Sequence, residues 1–207
     1  MRRPHPAPRA VACSSRLQPT LTVHLPAPGQ DGACAVAVWV LQELVLVANV
    51  GDAKCILARA PDRPTPPAAG AQPATQSKPK AIVLTKEHTA LIERQRIEKA
   101  GGTVVNGRLA GRIQISRSFG DAAFKKLGCS AAPDVTAFPL TARDRFMLLG
   151  CDGFWGVFGA QEAVDTAAGL LAEGAEPKAV TNRLLNLAVR EKKCKDNCSV
   201  LLVSFGG

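Results

Sequence analysis

RFMLLGCDGFWGVF, residues 145–158, decides how this chain is read. Phe146 to Leu149 is an uncharged apolar run of the length of a buried strand, and it stops on Gly150, Asp152 and Gly153, where a turn begins. An aspartate at the end of a buried strand is costly unless something compensates its charge. The chain spends only 17 acidic residues in 207, so this placement asks for a partner.

Working outward, the same kind of segment recurs. CSVLLVSF (198–205) is a second apolar strand, and ACAVAVWVL (33–41) with LVLVANV (44–50) reads as an antiparallel pair split by Gln42 and Glu43. A tight turn at Gly51 to Ala53 leads into KCILAR (54–59), and AIVLT (81–85) starts another strand. TALIERQRIEKAGG (89–102) has the pattern of a charged helix stopped by Gly101 and Gly102. Asn106-Gly107 signals a hairpin, and GRIQISRSFGD (111–121) alternates as a half-buried strand. PDVTAFPL (133–140) adds a strand, and two helices follow at AQEAVDTAAGLLAEG (160–174) and PKAVTNRLLNLAVREKK (177–193). The second helix starts on Pro177 and places Val180, Leu184, Leu187 and Ala188 on one face. Many strands with tight turns and late helices predict an α+β domain of stacked antiparallel sheets with helices outside.

Residues 1–30 carry six prolines, four arginines and no acid, and are expected to be a disordered arm. The domain is expected over 31–207, with a Pro-rich loop at 60–80 holding six more prolines. The net charge of +9 owes much to that arm, and seven Phe and two Trp give little for base stacking, so nucleic acid is not an expected partner. No apolar run approaches the roughly 20 residues of a membrane helix, and membrane is excluded likewise. The seven cysteines are odd in number and scattered, which fits reduced thiols in a cytoplasmic or nuclear protein. The Arg-rich start leaves organelle targeting as the alternative.

If the strands ending at Gly150 and starting at Cys198 pair antiparallel, Asp152 and Asp196 fall on one sheet edge, which Asp52 in its turn can also reach. Three converging carboxylates repel unless a cation lies between them, and oxygen ligands without convergent histidine or a thiolate pair select Mg²⁺ or Mn²⁺. Taken singly, Asp52 and the Asp196-Asn197 pair also suit plain turn roles.

The ordered series NVGDAK (49–54), KEHTALIERQRIEKAGGTV (86–104), GRIQISRSFGD, PDV, LLGCDGFWGVF and CKDNCSVLLV (194–203) resembles the metal-dependent protein Ser/Thr phosphatases of the 2C (PPM) family. Within that family it is most similar to the plant and integrin-linked-kinase-associated branch. The resemblance runs from Gly32 to Phe205 and implies a β-sandwich flanked by helices, with two Mg²⁺ or Mn²⁺ ions activating a water against a phosphoserine or phosphothreonine of a protein substrate. It implies Asp152 and Asp196 as core ligands and Asp52 at a weaker third position, with Gly51, Gly153 and Asn197 beside them. Ser116, Arg117, Gly120 and Asp121 match as structural support, and a monomer is expected.

Three departures accompany the resemblance. The family's opening segment has an acidic ligand, an Asp-Gly-His-Gly-type motif with the general-acid histidine, and a phosphate-holding arginine. None has a counterpart here, so the expected chain is the C-terminal two-thirds of the domain with reduced metal occupancy and no catalytic histidine. Gly156 stands where many members carry an acid, and Ala33 and Cys34 replace small hydroxyl residues. Two functions follow as expectations: a phosphatase, inactive in this form for want of those motifs, or a non-catalytic pseudophosphatase serving as an interaction module. Lacking a covering segment, the chain is expected to expose a sheet edge or face and to aggregate or be unstable alone.

Overall fold

A computed structural model of the chain describes residues 8–16, 31–62 and 78–205, with Ser14 the one side chain described in the first segment. Strands β1 (Pro8–Arg16), β2 (Gly32–Ala33), β3 (Ala35–Leu41), β4 (Leu44–Val50), β5 (Lys54–Arg59) and β6 (Lys80–Val83) come first. A small lobe follows: helix α1 (Arg94–Lys99), the hairpin β7 (Val104–Val105) and β8 (Arg108–Leu109), β9 (Phe119–Gly120), and α2 (Ala122–Lys125). Strands β10 (Asp134–Pro139) and β11 (Asp144–Gly150) then lead into α3 (Asp152–Trp155) and α4 (Ala160–Ala172). Helix α5 (Pro177–Asn186) runs into a π-helical turn, Leu187–Glu191, before β12 (Cys198–Phe205).

The strands form a five-stranded sheet, β1-β12-β11-β5-β6, stacked on a three-stranded sheet, β10-β4-β3, with every neighbour antiparallel. Alternation along the central strands serves two cores. Ile56, Phe146, Leu148, Val200 and Leu202 face α4 and α5, whereas Cys55, Leu57, Met147, Leu149 and Val203 face the second sheet. Covered on both sides, β5, β11 and β12 read as unbroken apolar runs rather than as alternating ones. Each large side chain so buried contributes roughly 1.5–3 kcal/mol. The α+β sandwich is therefore the observed fold, in the order helices, five strands, three strands.

Three expectations are corrected. Residues 1–30 are not an arm throughout, because Pro8–Arg16 pairs with β12 from Pro8 opposite Phe205 to Arg16 opposite Cys198. The long apolar β12 would otherwise leave a row of unpaired backbone groups at the sheet edge, and β1 satisfies them. Ser14 Oγ also lies 2.9 Å from Thr181 Oγ1 of α5. The helix expected over 89–102 shrinks to α1, since Glu93 is drawn into an ion network and Ala90 N donates to Gln114 O instead. Residues 111–118 form isolated bridges rather than a strand, because Ala110 and Gly111 both sit at positive φ and Ser116 and Arg117 turn toward Glu93. Residues 1–7, 17–30 and 63–77, including most of the proline-rich loop, lie outside the described residues. The Asn106-Gly107 hairpin is as read, with φ of 50° and 73° as its turn requires.

The outer side of the three-stranded sheet keeps Trp39 at 51%, Leu41 at 55% and Val135 at 62% exposure. Such an apolar face promotes association. Trp39→Lys is expected to raise the aggregation onset temperature in light scattering without lowering the unfolding midpoint; an unchanged onset would show that this face is not the sticky one. Among the described residues no helix is long and apolar enough to cross a membrane.

Candidate metal centre

The antiparallel register sets Gly150 of β11 opposite Val200 of β12, so the loops beyond these residues leave the sheet at the same end. Asp152 follows β11 directly, and Asp196 precedes β12. Gly153 makes the close approach possible: a Cβ there would sit 2.2 Å from Asn197 O and 3.1 Å from Asp196 Cβ. Each carboxylate accepts a nearby amide, Gly153 N to Asp152 Oδ1 at 2.9 Å and Asn197 N to Asp196 Oδ1 at 2.7 Å. Cys151 Sγ lies 3.2 Å from both Asn197 O and Ser199 N, tying the two loops together.

Asp52 arrives from the other side, in the turn between β4 and β5. Burial pushes the Asp152 carboxyl above the usual carboxylate range, and the charges of Asp52 and then Asp196 push it further, against the Gly153 amide. The charges of Asp52 and Asp196 therefore both act on Asp152. Clustered oxygens of this kind suit a hard divalent cation. Among the described residues, however, no group of three or more His, Cys, Asp or Glu side chains is placed so that it could hold a metal ion as it stands.

Four residues of the surroundings were not singled out from the sequence. Cys34, named from the sequence only as a replacement for a small hydroxyl residue, lies against Asp52: its thiol is pushed up to about 12 by burial and by the Asp52 and Asp152 charges, against a backbone hydrogen bond at Asp52. Glu93 is the hub of an ion network, taking Arg117 Nη2 at 2.5 Å, Arg96 Nη2 at 2.7 Å and Ser116 Oγ at 2.8 Å. Arg117 continues to Asp134 Oδ1 at 2.9 Å, and Asp134 Oδ2 lies 3.1 Å from His88 Nε2. The Asp134 carboxyl is held below its usual range by His88 first and then, against desolvation, by Arg117. The only signal for His88 and Glu93 was their presence in KEHTALIERQRIEK, where they pass for surface charges of a helix, and Asp134 showed only as part of PDV.

The structural roles read for the supporting residues take definite form. Ser116 and Arg117 brace Glu93, while Gly120, at φ 68°, and the buried Asp121 pack on residues 31 and 32 through the β2–β9 pair. Gly51, at φ 98°, leaves no room for a side chain, since a Cβ would meet Cys34 Sγ at 2.2 Å.

The profile described as Protein phosphatase 2C matches residues 12–198. The chain belongs to the protein phosphatase 2C family. Its match begins inside β1, upstream of Gly32 where the motif resemblance starts. "Probable protein phosphatase 2C 8" of Arabidopsis thaliana is 51% identical over 179 residues, covering 85% of this chain and 50% of that protein. The human "Integrin-linked kinase-associated serine/threonine phosphatase 2C" is 37% identical over 191 residues, covering 86% and 45%. In fold, the chain is similar to a crystal structure of serine-threonine phosphatase 2C from Toxoplasma gondii, at TM-score 0.69 and 23% identity over 86% of this chain and 60% of that one. The chain thus spans about half the length of the curated relatives of the phosphatase 2C family that it matches.

Proposed function

We propose that this chain is part of a metal-dependent phosphatase that hydrolyses phosphoserine or phosphothreonine in proteins, in the cytoplasm or nucleus. One observation carries the reading: Asp52, Asp152 and Asp196 are gathered from three loops at one end of the sandwich, at a cost visible in the raised Asp152 carboxyl. Folding gains nothing from uncompensated repulsion, whereas a divalent cation reverses its sign.

Asp152 and Asp196 would hold Mg²⁺ or Mn²⁺, with Asp52 beside them. A bound ion of this kind supplies charge neutralisation and a lowered pKa for its water. The protein's part is to fix the oxygens. The Gly153 and Asn197 amides each hold one carboxylate oxygen, and Cys151 locks the Asp196 loop to the end of β11. Affinity follows ligand charge count and preorganisation, so two or three carboxylates outside a closed cage predict modest occupancy.

The test is hydrolysis of a phosphothreonine peptide by purified residues 1–207 with and without Mn²⁺. Turnover that requires Mn²⁺ supports the phosphatase reading for the chain as it stands. Mn²⁺ binding without turnover points instead to an interaction module that keeps the ligands, and absence of both overturns the metal assignment.

A further inference from the structure

The turn that carries Asp52 is held by an imidazole. Gly51 N donates to His88 Nδ1 at 3.1 Å, and His88 N donates back to Gly51 O at 2.9 Å. His88 is only 1% exposed, so water does not compete for these bonds. An imidazole that accepts at Nδ1 carries its proton, when neutral, on Nε2. That nitrogen faces Asp134 Oδ2 at 3.1 Å, in a bent contact that falls short of hydrogen-bond alignment.

Asp134 is itself fixed twice, by Arg117 Nη1 at 2.9 Å and by its place opposite Asn49 in the β10–β4 ladder. Asn49 Nδ2 in turn donates to Lys86 O at 2.8 Å, two residues before His88. The His88 carbonyl accepts Ser116 N at 2.9 Å, which joins the segment to the Glu93 network. A buried histidine that only filled space would not need to aim its Nδ1 at the N–H of the residue before a candidate ligand.

We propose that His88 is a positioning residue for Asp52: its ring fixes the Val50–Gly51 peptide and its main-chain N–H the Gly51–Asp52 carbonyl, and together they set the reach of the third carboxylate toward Asp152 and Asp196. The part concerning metal rests on the reading given under Proposed function. Removing such an outer partner of a ligand typically costs 10- to 100-fold in metal affinity.

The experiment compares His88→Ala with His88→Asn, whose side-chain oxygen can stand in for Nδ1 while Nε2 is lost. Backbone hydrogen exchange at residues 51–53, read by NMR, is the arm independent of metal. It is expected to quicken at least tenfold in His88→Ala and to stay near wild type in His88→Asn, with β11 and β12 protection unchanged. Mn²⁺ affinity, read from free-ion EPR, is expected to fall about tenfold in His88→Ala and to recover in His88→Asn. Unchanged exchange at the turn in His88→Ala overturns the proposal. If that variant does not fold, His88→Asn decides alone: wild-type protection at 51–53 supports the proposal and rapid exchange there overturns it. A wild-type protein that binds no Mn²⁺ defeats the metal reading while the exchange arm still judges His88.

Discussion

Asp152→Asn is expected to make the metal-free protein more stable and to remove its affinity for divalent cations in the same step. Asp152 is an exposed residue whose carboxyl is nonetheless pushed up, first by the desolvation of its inner side and then by Asp52 and Asp196. Asparagine keeps the size and can accept the Gly153 amide, but carries no charge to repel its neighbours. The unfolding midpoint of the metal-free variant should therefore rise, by a small amount because solvent screens an exposed carboxylate. The sign follows from the direction of the shift. A carboxyl raised in the folded state penalises folding once pH exceeds its ordinary value, so the variant's advantage is absent in acid and present at neutral pH. Mn²⁺ should then stabilise the wild type and leave the variant unmoved. In a protein completed to the length of its relatives, the same change should cut turnover by orders of magnitude. Thermal scans with and without Mn²⁺ check both halves, and a metal-free variant less stable than wild type would refute the repulsion argument.

Glu93→Gln is expected to be the most destabilising of the single changes considered. Burial alone would raise this carboxyl, yet the hydrogen bonds from Arg117, Arg96 and Ser116 outweigh it and bring it from 4.5 down to about 2. Its side chain is 10% exposed and that of Arg117 is 14% exposed, so the loss of charge strands a guanidinium largely out of water. The cost should be on the order of 3 kcal/mol, or about 10 °C in the midpoint. Because the folded value is depressed, the wild type holds this stability fully above about pH 4.5 and loses it as pH falls toward 2. Glutamine has no such acid limb. Urea midpoints at pH 7 and pH 3 separate the two proteins, which should differ strongly at the first pH and far less at the second. Equal midpoints at pH 7 would remove Glu93 from the architecture of the lobe.

The parts of the molecule legible in sequence were those whose physics is local. Strands β5, β11 and β12 announce themselves as apolar runs because both faces are covered, and Asn106-Gly107 encodes its own turn. Asp152 and Asp196 could be paired from sequence because antiparallel register relates the end of one strand to the start of another. Glu93, His88 and Asp134 could not, since their partners stand 17 to 46 residues away and nothing in a charged helical pattern says which charge turns inward. β1 escaped for the opposite reason. Its neighbours are arginines and prolines, and the demand it satisfies belongs to β12, at the far end of the sequence.

The β1–β12 pairing has a consequence for how the protein folds. With Val11 opposite Val203 and Ser14 opposite Val200, β1 finds its partner across one of the longest sequence separations in the fold. Contacts of such long separation close slowly. β12, flanked on either side by β1 and β11, joins a strand distant in sequence to a nearer one and is the keystone of the sheet. The strand whose docking brings Asp196 to Asp152 is thus also the one that closes the long-range pair with β1, so the acidic site is assembled together with the slowest-closing contact of the sheet.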